Sequence, residues 1–405
     1  MLIKLAWRNL WRNKLRTSII LGAMVFGLMG VTAMMGFMSG FVDSMVSNAI
    51  RWQTSHIQVH NSSYVTNPDI SELIDDGSEL VGNIHAINGV SHISTRFIAQ
   101  GMVASARSNR GVQIIGIDAD TETKITPLSS HIKQGEWFDG KGRNPVLVSV
   151  KLSERLQLRV GSKVVLTFTD AQGQVAGAAY RVKGIFQTPN SALDDGSIFV
   201  RKADLQKTAN MKGVHEIAII VNDIDQIDRV KKHVIDFSTA DTRVRDWKEI
   251  QPMLSTMMTT MDVSNQVILI IFVIAMMFGI INIMLMSVFE RTQEFGVLMA
   301  VGMQKHKVFG LIMLETTLLG MTGSLLGIAF SVLMIKLMNI NGISLGGLAD
   351  GLGAYGIDTV LFPRVSVQEY QMIFTTVLIA SVFAAIYPAR QILKRRPVDA
   401  MAEKN

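Results

Sequence analysis

Hydrophobic and polar positions along this chain follow two different patterns. Four stretches contain no charged residue at all: residues 17–42 (26 residues), 263–289 (27), 316–335 (20) and 370–389 (20). As a helix the first would be about 39 Å long at 1.5 Å per residue, against roughly 30 Å of bilayer hydrocarbon, so it spans with tilt or protrudes. Each stretch predicts a transmembrane helix, with helix 3 extended to 308–335.

Residues 43–262 alternate instead. Period-two strand patterns occur at 55–60, 111–117, 145–150, 163–169 and 180–186. Helical spacing occurs at 78–87, through Leu80, Val81, Ile84 and Ile87, and at 149–158, through Leu152, Leu156 and Leu158. The alternation predicts βαβ-like units in two subdomains. Flanking segments 41–52 and 247–262 continue the adjacent spans as helical stalks, the second with a stripe of Met253, Met257 and Met261. The fold class is thus membrane α-helical, with four transmembrane helices and a large extracytoplasmic α+β domain inserted between helices 1 and 2.

Charge sets the orientation. The first 17 residues carry Lys4, Arg8, Arg12, Lys14 and Arg16 and no acid. In the tail 390–405, Arg390, Lys394, Arg395, Arg396 and Lys404 outweigh Asp399 and Glu403, and Arg291, Lys305 and Lys307 outweigh Glu290 and Glu294 in the loop 290–307. Positive charge in short flanks marks the cytoplasmic side. Both termini and the loop 290–307 are therefore expected inside, the inserted domain outside, and 336–369 as a second external loop. A net charge of +6 is accounted for by topology, and no nucleic-acid partner is implied. The chain has no cysteine, which excludes disulfides and thiolate metal sites without revealing the redox compartment. The run 17–42 is longer than a signal-peptide core and is expected to be retained.

Residues 1–16 repeat Trp-Arg-Asn at Trp7, Arg8, Asn9 and again at Trp11, Arg12, Asn13. On a helix Lys4, Arg8, Arg12 and Arg16 share one side and Ile3, Ala6, Trp7, Leu10 and Trp11 the other. This predicts an interfacial amphipathic helix, with Trp7, Arg8, Trp11 and Arg12 anchoring it against membrane lipids.

Apparent chemical motifs dissolve on inspection. Residues 135–141 (GEWFDGK) match a phosphate loop up to its lysine, but Gly142 stands where Ser or Thr would hold magnesium, and a proline-led strand follows. His56 and His60 lie about 13 Å apart along a strand, too far to share a metal, and are expected at the surface. No HExxH, GxSxG or cysteine nucleophile occurs. No catalytic or metal site is expected.

The segment GIINIMLMSVFERTQEFGVLMAVGM (279–303) is followed by a helix with Glu315, Gly320, Gly323 and Gly327. With VLVSVKLSERLQLRVGSKVVLTF, YRVKGIFQTPNSALDDGSIFV and YPARQILKRRPVDAM, it resembles the permeases of the MacB, FtsX and lipoprotein-releasing group of ATP-binding-cassette systems. The layout is nearest to the lipoprotein-releasing permeases.

That resemblance implies a permease subunit that is itself no enzyme. It implies a bacterial inner membrane, a cytoplasmic ATPase in two copies carrying ATP and Mg, and a second permease chain, identical or homologous. It makes 290–302 the coupling helix on the ATPase, through Glu290, Arg291, Glu294, Phe295, Gly296, Leu298, Met299 and Gly302. In the lipoprotein-releasing permeases a projecting hairpin recruits a periplasmic carrier; here the corresponding turn, 170–179, is short and lacks proline and aromatic residues. A carrier, adaptor or lipoprotein is the further partner implied. Extraction of a lipoprotein or lipid-like substrate from the outer leaflet is the function implied, with amphiphile efflux and scaffolding of an external hydrolase as the other classes.

Three further features are assigned from the residues. Glu315 lies about 12 Å along a helix from Lys307 and is expected as an interhelix anchor near the interface. Gly36 and Gly40 form a small-xxx-small pair suited to dimer packing. Met34, Met35, Phe37, Met38, Phe41, Met257, Met258 and Met261 offer an adaptable apolar surface for a substrate cavity.

Overall fold

The structure, a computed structural model, describes residues 2–74, 77–346 and 360–394. The basic tail residues Arg395, Arg396 and Lys404, Asp399 and Glu403, and residues 347–359 of the external loop 336–369, lie outside the described residues. The chain forms two compact units, one built from 1–41, 258–344 and 360–405, the other from 42–257 and 345–359.

The first unit is helical. Its elements are α1 (Leu2–Arg12), α2 (Lys14–Ala49), α3 (Pro252–Glu290), α4 (Thr292–Ala300), α5 (Lys305–Asn341) and α6 (Val367–Lys394), of which α2 and α3 run on beyond the unit. Among the described residues four helices are long and apolar enough to cross a membrane: Lys14–Thr54, Pro252–Glu290, Lys305–Asn341 and Val367–Ile392. In lipid a helix satisfies every backbone N–H and C=O within itself, which is why these uncharged runs take this form. The basic N-terminal stretch is shorter than 1–16, since α1 ends at Arg12 and Asn13 breaks the helix. The Asn13 side-chain oxygen then accepts the Arg16 amide at 3.4 Å. Arg16 consequently belongs to α2.

Small residues set the helix spacing. On α5, Gly320 faces Ser381 of α6, while Gly323 and Gly327 face Met24 and Leu28 of α2. A Cβ at Gly327 would stand 2.5 Å from Leu28 Cδ1. Ser324, Ser331 and Ser381 are fully buried in the same unit. Without water to drive apolar association in lipid, such close backbone approach supplies the packing that holds helices together.

Two expectations are corrected here. The pair Gly36 and Gly40 is occupied by the chain's own residues: a Cβ on Gly36 would meet Ile335 and Val365, and one on Gly40 would lie 2.5 Å from the Phe362 carbonyl oxygen. The Arg364 amide also donates to the Gly36 carbonyl at 3.0 Å. These glycines seat the segment that leads into α6, rather than presenting a groove to a second chain. Met35, assigned to a substrate surface, is fully buried in the bundle core. Because the obstacle at Gly40 is backbone, Gly40→Ala is expected to destabilise the protein by about 1–3 kcal/mol, as overpacking does. An unchanged thermal midpoint of the purified variant in detergent would refute that assignment.

The second unit is a mixed β domain. Its strands are β1 (Ile57–Asn61), β2 (Val90–Ala104), β3 (Asn109–Ile117), β4 (Ile132–Gly135), β5 (Pro145–Ser149), β6 (Lys163–Thr169), β7 (Val175–Phe186), β8 (Ser197–Arg201), β9 (Glu216–Val221) and β10 (Thr242–Asp246). The pairings close a ring in the order β2, β3, β8, β5, β7, β6 and back to β2. Alternate residues fill this six-stranded barrel: Val112 and Ile114, Val146 and Val148, Val164, Leu166 and Phe168, Tyr180 and Val182, Ile198 and Val200. The N-terminal half of β2 leaves the barrel and pairs with β9, which joins β1 and β10 in a second lobe.

The expected βαβ-like units are therefore replaced by largely antiparallel pairing, with only β3–β8 and β5–β7 parallel in this sheet. The expected pair of subdomains becomes two lobes sharing β2. At the crossover stands Arg96, buried and bonded to Glu122 at 2.6 Å and Glu216 at 2.7 Å. Hydrogen bonds to both carboxylates satisfy a charge that burial alone would make very costly.

The histidines expected at the surface are buried in the case of His60 and half-buried in that of His56. His60 is buried, with Nδ1 2.9 Å from the His215 carbonyl and Nε2 3.0 Å from Gln58, and His56 Nδ1 accepts the Val221 amide at 3.0 Å. Among the described residues no His, Asp or Glu cluster has metal-binding geometry. In the loop after β4, Asp139 accepts the Lys141 amide at 2.9 Å and pairs with Lys183, so the phosphate-loop lookalike is closed by its own carboxylate.

The stalks are partly as expected. Helix α2 passes into a π-helical turn, Ile50–Thr54, while the other flank is a short helix, Trp247–Ile250, separated from α3 by Gln251. Both ends are tied down within this domain: Trp52 packs edge-on against His131, and the Gln251 amide group donates to Gln53 at 3.2 Å.

Candidate functional site

The chain turns tightly after α3, and the turn produces a densely bonded polar cluster in the helical unit. Arg291 precedes α4, with its guanidinium 5.1 Å from the Phe295 ring centre. Its Nε donates to Glu294 at 3.0 Å and its Nη1 to both Glu315 oxygens at 3.2 and 3.0 Å. Helix α1 joins from the far end of the sequence. Asn9 Nδ2 donates to Glu315 at 2.6 Å, Arg12 bonds Glu294 at 2.5 Å, and Arg16 pairs with Glu290. Burial works to raise the Glu294 carboxyl, but hydrogen bonds from Arg12 and Arg291 outweigh it and hold the group below its usual range.

Helix α4 presents two unlike faces. Phe295 and Gly296 are buried and Leu298 and Met299 pack on the bundle core, while Val297 is 52% and Val301 83% exposed. Gly302 ends the helix with φ of +102°; its amide donates to Met299 at 3.1 Å and the Met303 amide reaches Leu298 at 2.9 Å. That paired return is a Schellman cap, which glycine adopts without a Cβ penalty. Of the residues assigned to coupling, Glu290, Glu294 and Gly302 are exposed, and Phe295, Gly296, Leu298 and Met299 anchor the helix from within. The outward residues Val297, Ala300 and Val301 lie within the expected span 290–302 but are not among the residues singled out for coupling. Their signal was present as the apolar positions left over once Phe295, Leu298 and Met299 form one face.

The N-terminal anchor residues are brought to the same end. Ala6 and Leu10 are the buried face of α1; Trp7 and Trp11 stand outward, their rings 6.0 Å apart, and Arg8 is exposed. Between α1, α2, α3 and α5 lies a cleft of about 530 Å³. None of the residues assigned to a substrate surface lines this cleft: Met34 is exposed, and Phe37, Met38, Phe41, Met257, Met258 and Met261 are half-buried along the long helices.

Residues 17–237 match the family model of the MacB-like periplasmic core domain, and residues 266–397 match that of the FtsX-like permease C-terminal region. The chain belongs to the MacB/FtsX family of ABC transporter permeases. A lipoprotein-releasing system transmembrane protein LolC of Xylella fastidiosa is 25% identical over 71% of this permease and 71% of its own length. A LolC of Neisseria meningitidis is 21% identical over 95% and 93%. A macrolide export ATP-binding/permease protein, MacB, of Chlorobaculum tepidum is 22% identical over 98% of this permease, which spans 60% of that relative. Four candidate membrane helices with a periplasmic MacB-like domain between the first two place the permease in this family by architecture as well as by sequence.

Proposed function

We propose that this permease works with an ATPase carried on a separate chain, in two copies that bind ATP and Mg, and that it extracts a lipoprotein or lipid-like substrate from the outer leaflet of the bacterial inner membrane. The observation that carries the reading is α4: a short helix pinned from inside by Phe295 and the Arg291–Glu315 pair, with Val297 and Val301 directed outward. An apolar knob on a rigid mount suits docking into a groove, and α1, tied to the same charges, lets a push on α4 reach α2. Both termini and α4 face the cytoplasm in this reading, and a second permease chain, identical or homologous, completes the transporter. A periplasmic carrier, adaptor or lipoprotein receives or supplies the substrate.

Lipoprotein is preferred because the alignment with a LolC runs nearly end to end on both chains. Removing a multiply acylated protein from a bilayer costs on the order of tens of kcal/mol at about 0.8 kcal/mol per methylene, so an apolar receiving surface must offset most of it. Efflux of amphiphiles is the second reading, favoured by the match of 17–237 to the MacB-like model.

The test is reconstitution with the ATPase in vesicles holding an acylated lipoprotein. ATP-dependent release of the lipoprotein is expected, together with faster ATP turnover in its presence. Val301→Asp is expected to reduce ATPase association and abolish that stimulation. Turnover that answers only to a drug-like or peptide amphiphile would replace this reading with efflux; turnover that answers to neither, with cell-wall cleavage altered by disruption, would replace it with a scaffold for an external hydrolase.

A further inference from the structure

The cleft at the α1 end holds more positive charge than its ion pairs consume. Arg12, Lys14, Arg16 and Glu290 line its exposed mouth, and the Arg291–Glu315 pair, with side chains 14% and 7% exposed, lines it deeper. Each arginine is matched by a carboxylate of Glu294, Glu290 or Glu315, whereas Lys14 meets none among the described residues. Asn13 stands exposed beside it, and with its oxygen turned to the Arg16 amide its Nδ2 has no partner among the described residues. The mouth therefore offers one unmatched cation and one free amide donor.

Below the mouth the lining changes character. Buried Leu10, Ile20, Met284 and Leu319 form the apolar part of the floor, which equally buried Thr17 and Glu315 share. The depth is that of lipid headgroups, because the outward rings of Trp7 and Trp11, 43% and 39% exposed, belong to the adjacent α1. A soluble anion would use the mouth and leave the floor wet. A phospholipid uses both, with its phosphodiester among the donors and an acyl chain over the floor. Basic pockets between membrane helices are a recurrent way to hold such headgroups.

The geometry points to a discrete site for an anionic phospholipid, its headgroup held by Lys14 and Asn13 and an acyl chain laid against Ile20, Met284 and Leu319. This differs from the diffuse attraction that exposed α1 charges such as Arg8 exert on any anionic surface. Because the cleft is bounded by α1, α2, α3 and α5, an occupied site cements the N-terminal elbow to the bundle.

The experiment uses the full chain in nanodiscs of phosphatidylcholine with a minority of phosphatidylglycerol, followed by gentle release and counting of retained lipids by native mass spectrometry. Phosphatidylglycerol is expected to be retained about fivefold over its share, the ratio equivalent to the ~1 kcal/mol that one lysine contributes near an anionic surface. Lys14→Glu is expected to abolish the enrichment, and so is Ile20→Trp, which fills the floor without changing charge. Arg8→Glu, outside the cleft, is expected to leave it intact, and Lys14→Gln with an unchanged thermal midpoint guards against misfolding. Enrichment that survives Lys14→Glu or Ile20→Trp, or that falls equally with Arg8→Glu, overturns the site. Loss with Lys14→Glu alone, together with displacement by millimolar inorganic phosphate, assigns the mouth to a soluble phosphate and overturns the lipid.

Discussion

Replacing Arg291 by alanine is expected to release α4 from the bundle and cost about 3 kcal/mol, the scale on which removal of one partner from a buried ion pair destabilises a protein. The Arg291 side chain is 14% exposed and that of Glu315 only 7%, so the carboxylate left behind keeps Asn9 but loses its charge partner. The measurement is amide exchange over 292–300 in the purified protein, where about 3 kcal/mol corresponds to roughly a hundredfold loss of protection. Arg291→Ala combined with Glu315→Ala removes the stranded charge and is expected to recover most of the thermal midpoint, while exchange over α4 stays fast because the tether is still missing. Arg12→Ala, at an exposed pair with Glu294, is expected to change protection little, since exposed pairs contribute about 0–1 kcal/mol. Equal protection in wild type and Arg291→Ala would show that Phe295 alone holds the helix.

The contrast between Arg12 and Arg291 also marks how far the chain could be read without coordinates. Spans were legible because an uncharged run long enough to cross lipid has one economical backbone solution, and α4 was legible because 295–302 carries an apolar face and a terminal glycine within a few residues. The cluster around Glu315 was not, since it joins Asn9, Arg291 and Glu315, and pairing between residues 306 positions apart leaves no periodicity. Gly36 and Gly40 announced a close approach without naming the partners, which proved to be Ile335 and Val365 for Gly36 and Phe362 and Pro363 for Gly40.

In the inserted domain the legible strands β3, β5, β6 and β7 line the barrel on one face. Strand β2 escaped because its first half buries Ser94 and Arg96, and buried polar groups break the alternation that a half-buried strand displays. Strand β9 escaped for the opposite reason: Glu216–Val221 is buried on both faces and reads as a plain apolar run. The sequence pattern therefore fails at the junction of the two lobes, where a paired buried charge takes the place of an apolar core.

Acidification is expected to weaken that junction, and His215 supplies much of the effect. Its ring is fully buried between Tyr64 and Phe97; Nδ1 accepts the Ile98 amide at 3.0 Å while Nε2 lies 3.0 Å from the Ile70 carbonyl. Those partners fit the neutral ring with its proton on Nε2, and a second proton on Nδ1 would confront the Ile98 N–H. Burial lowers the His215 pKa to about 4, against partial support for the charged form from the Ile70 carbonyl and Asp69. Above the ordinary histidine value of about 6.5 the ring is neutral folded or unfolded, and it contributes no pH dependence. Between about 6.5 and about 4 the unfolded chain binds the proton that the folded domain refuses, so stability falls with pH at up to ~1.4 kcal/mol per unit and about 3 kcal/mol in all. His60, lowered to about 3 first by burial and then by Arg245, acts in the same sense. Glu216 acts in the opposite sense above its ordinary value, because burial pushes its carboxyl up against the pull of Arg96. The comparison that isolates His215 is urea unfolding of wild type and His215→Asn at about pH 7 and about pH 4, followed by tryptophan emission. The variant is expected to be the less stable at neutral pH, having lost the Ile70 contact, and to lose about 3 kcal/mol less than wild type on acidification. Parallel losses in the two proteins would place the acid sensitivity elsewhere and show that His215 titrates alike in both states.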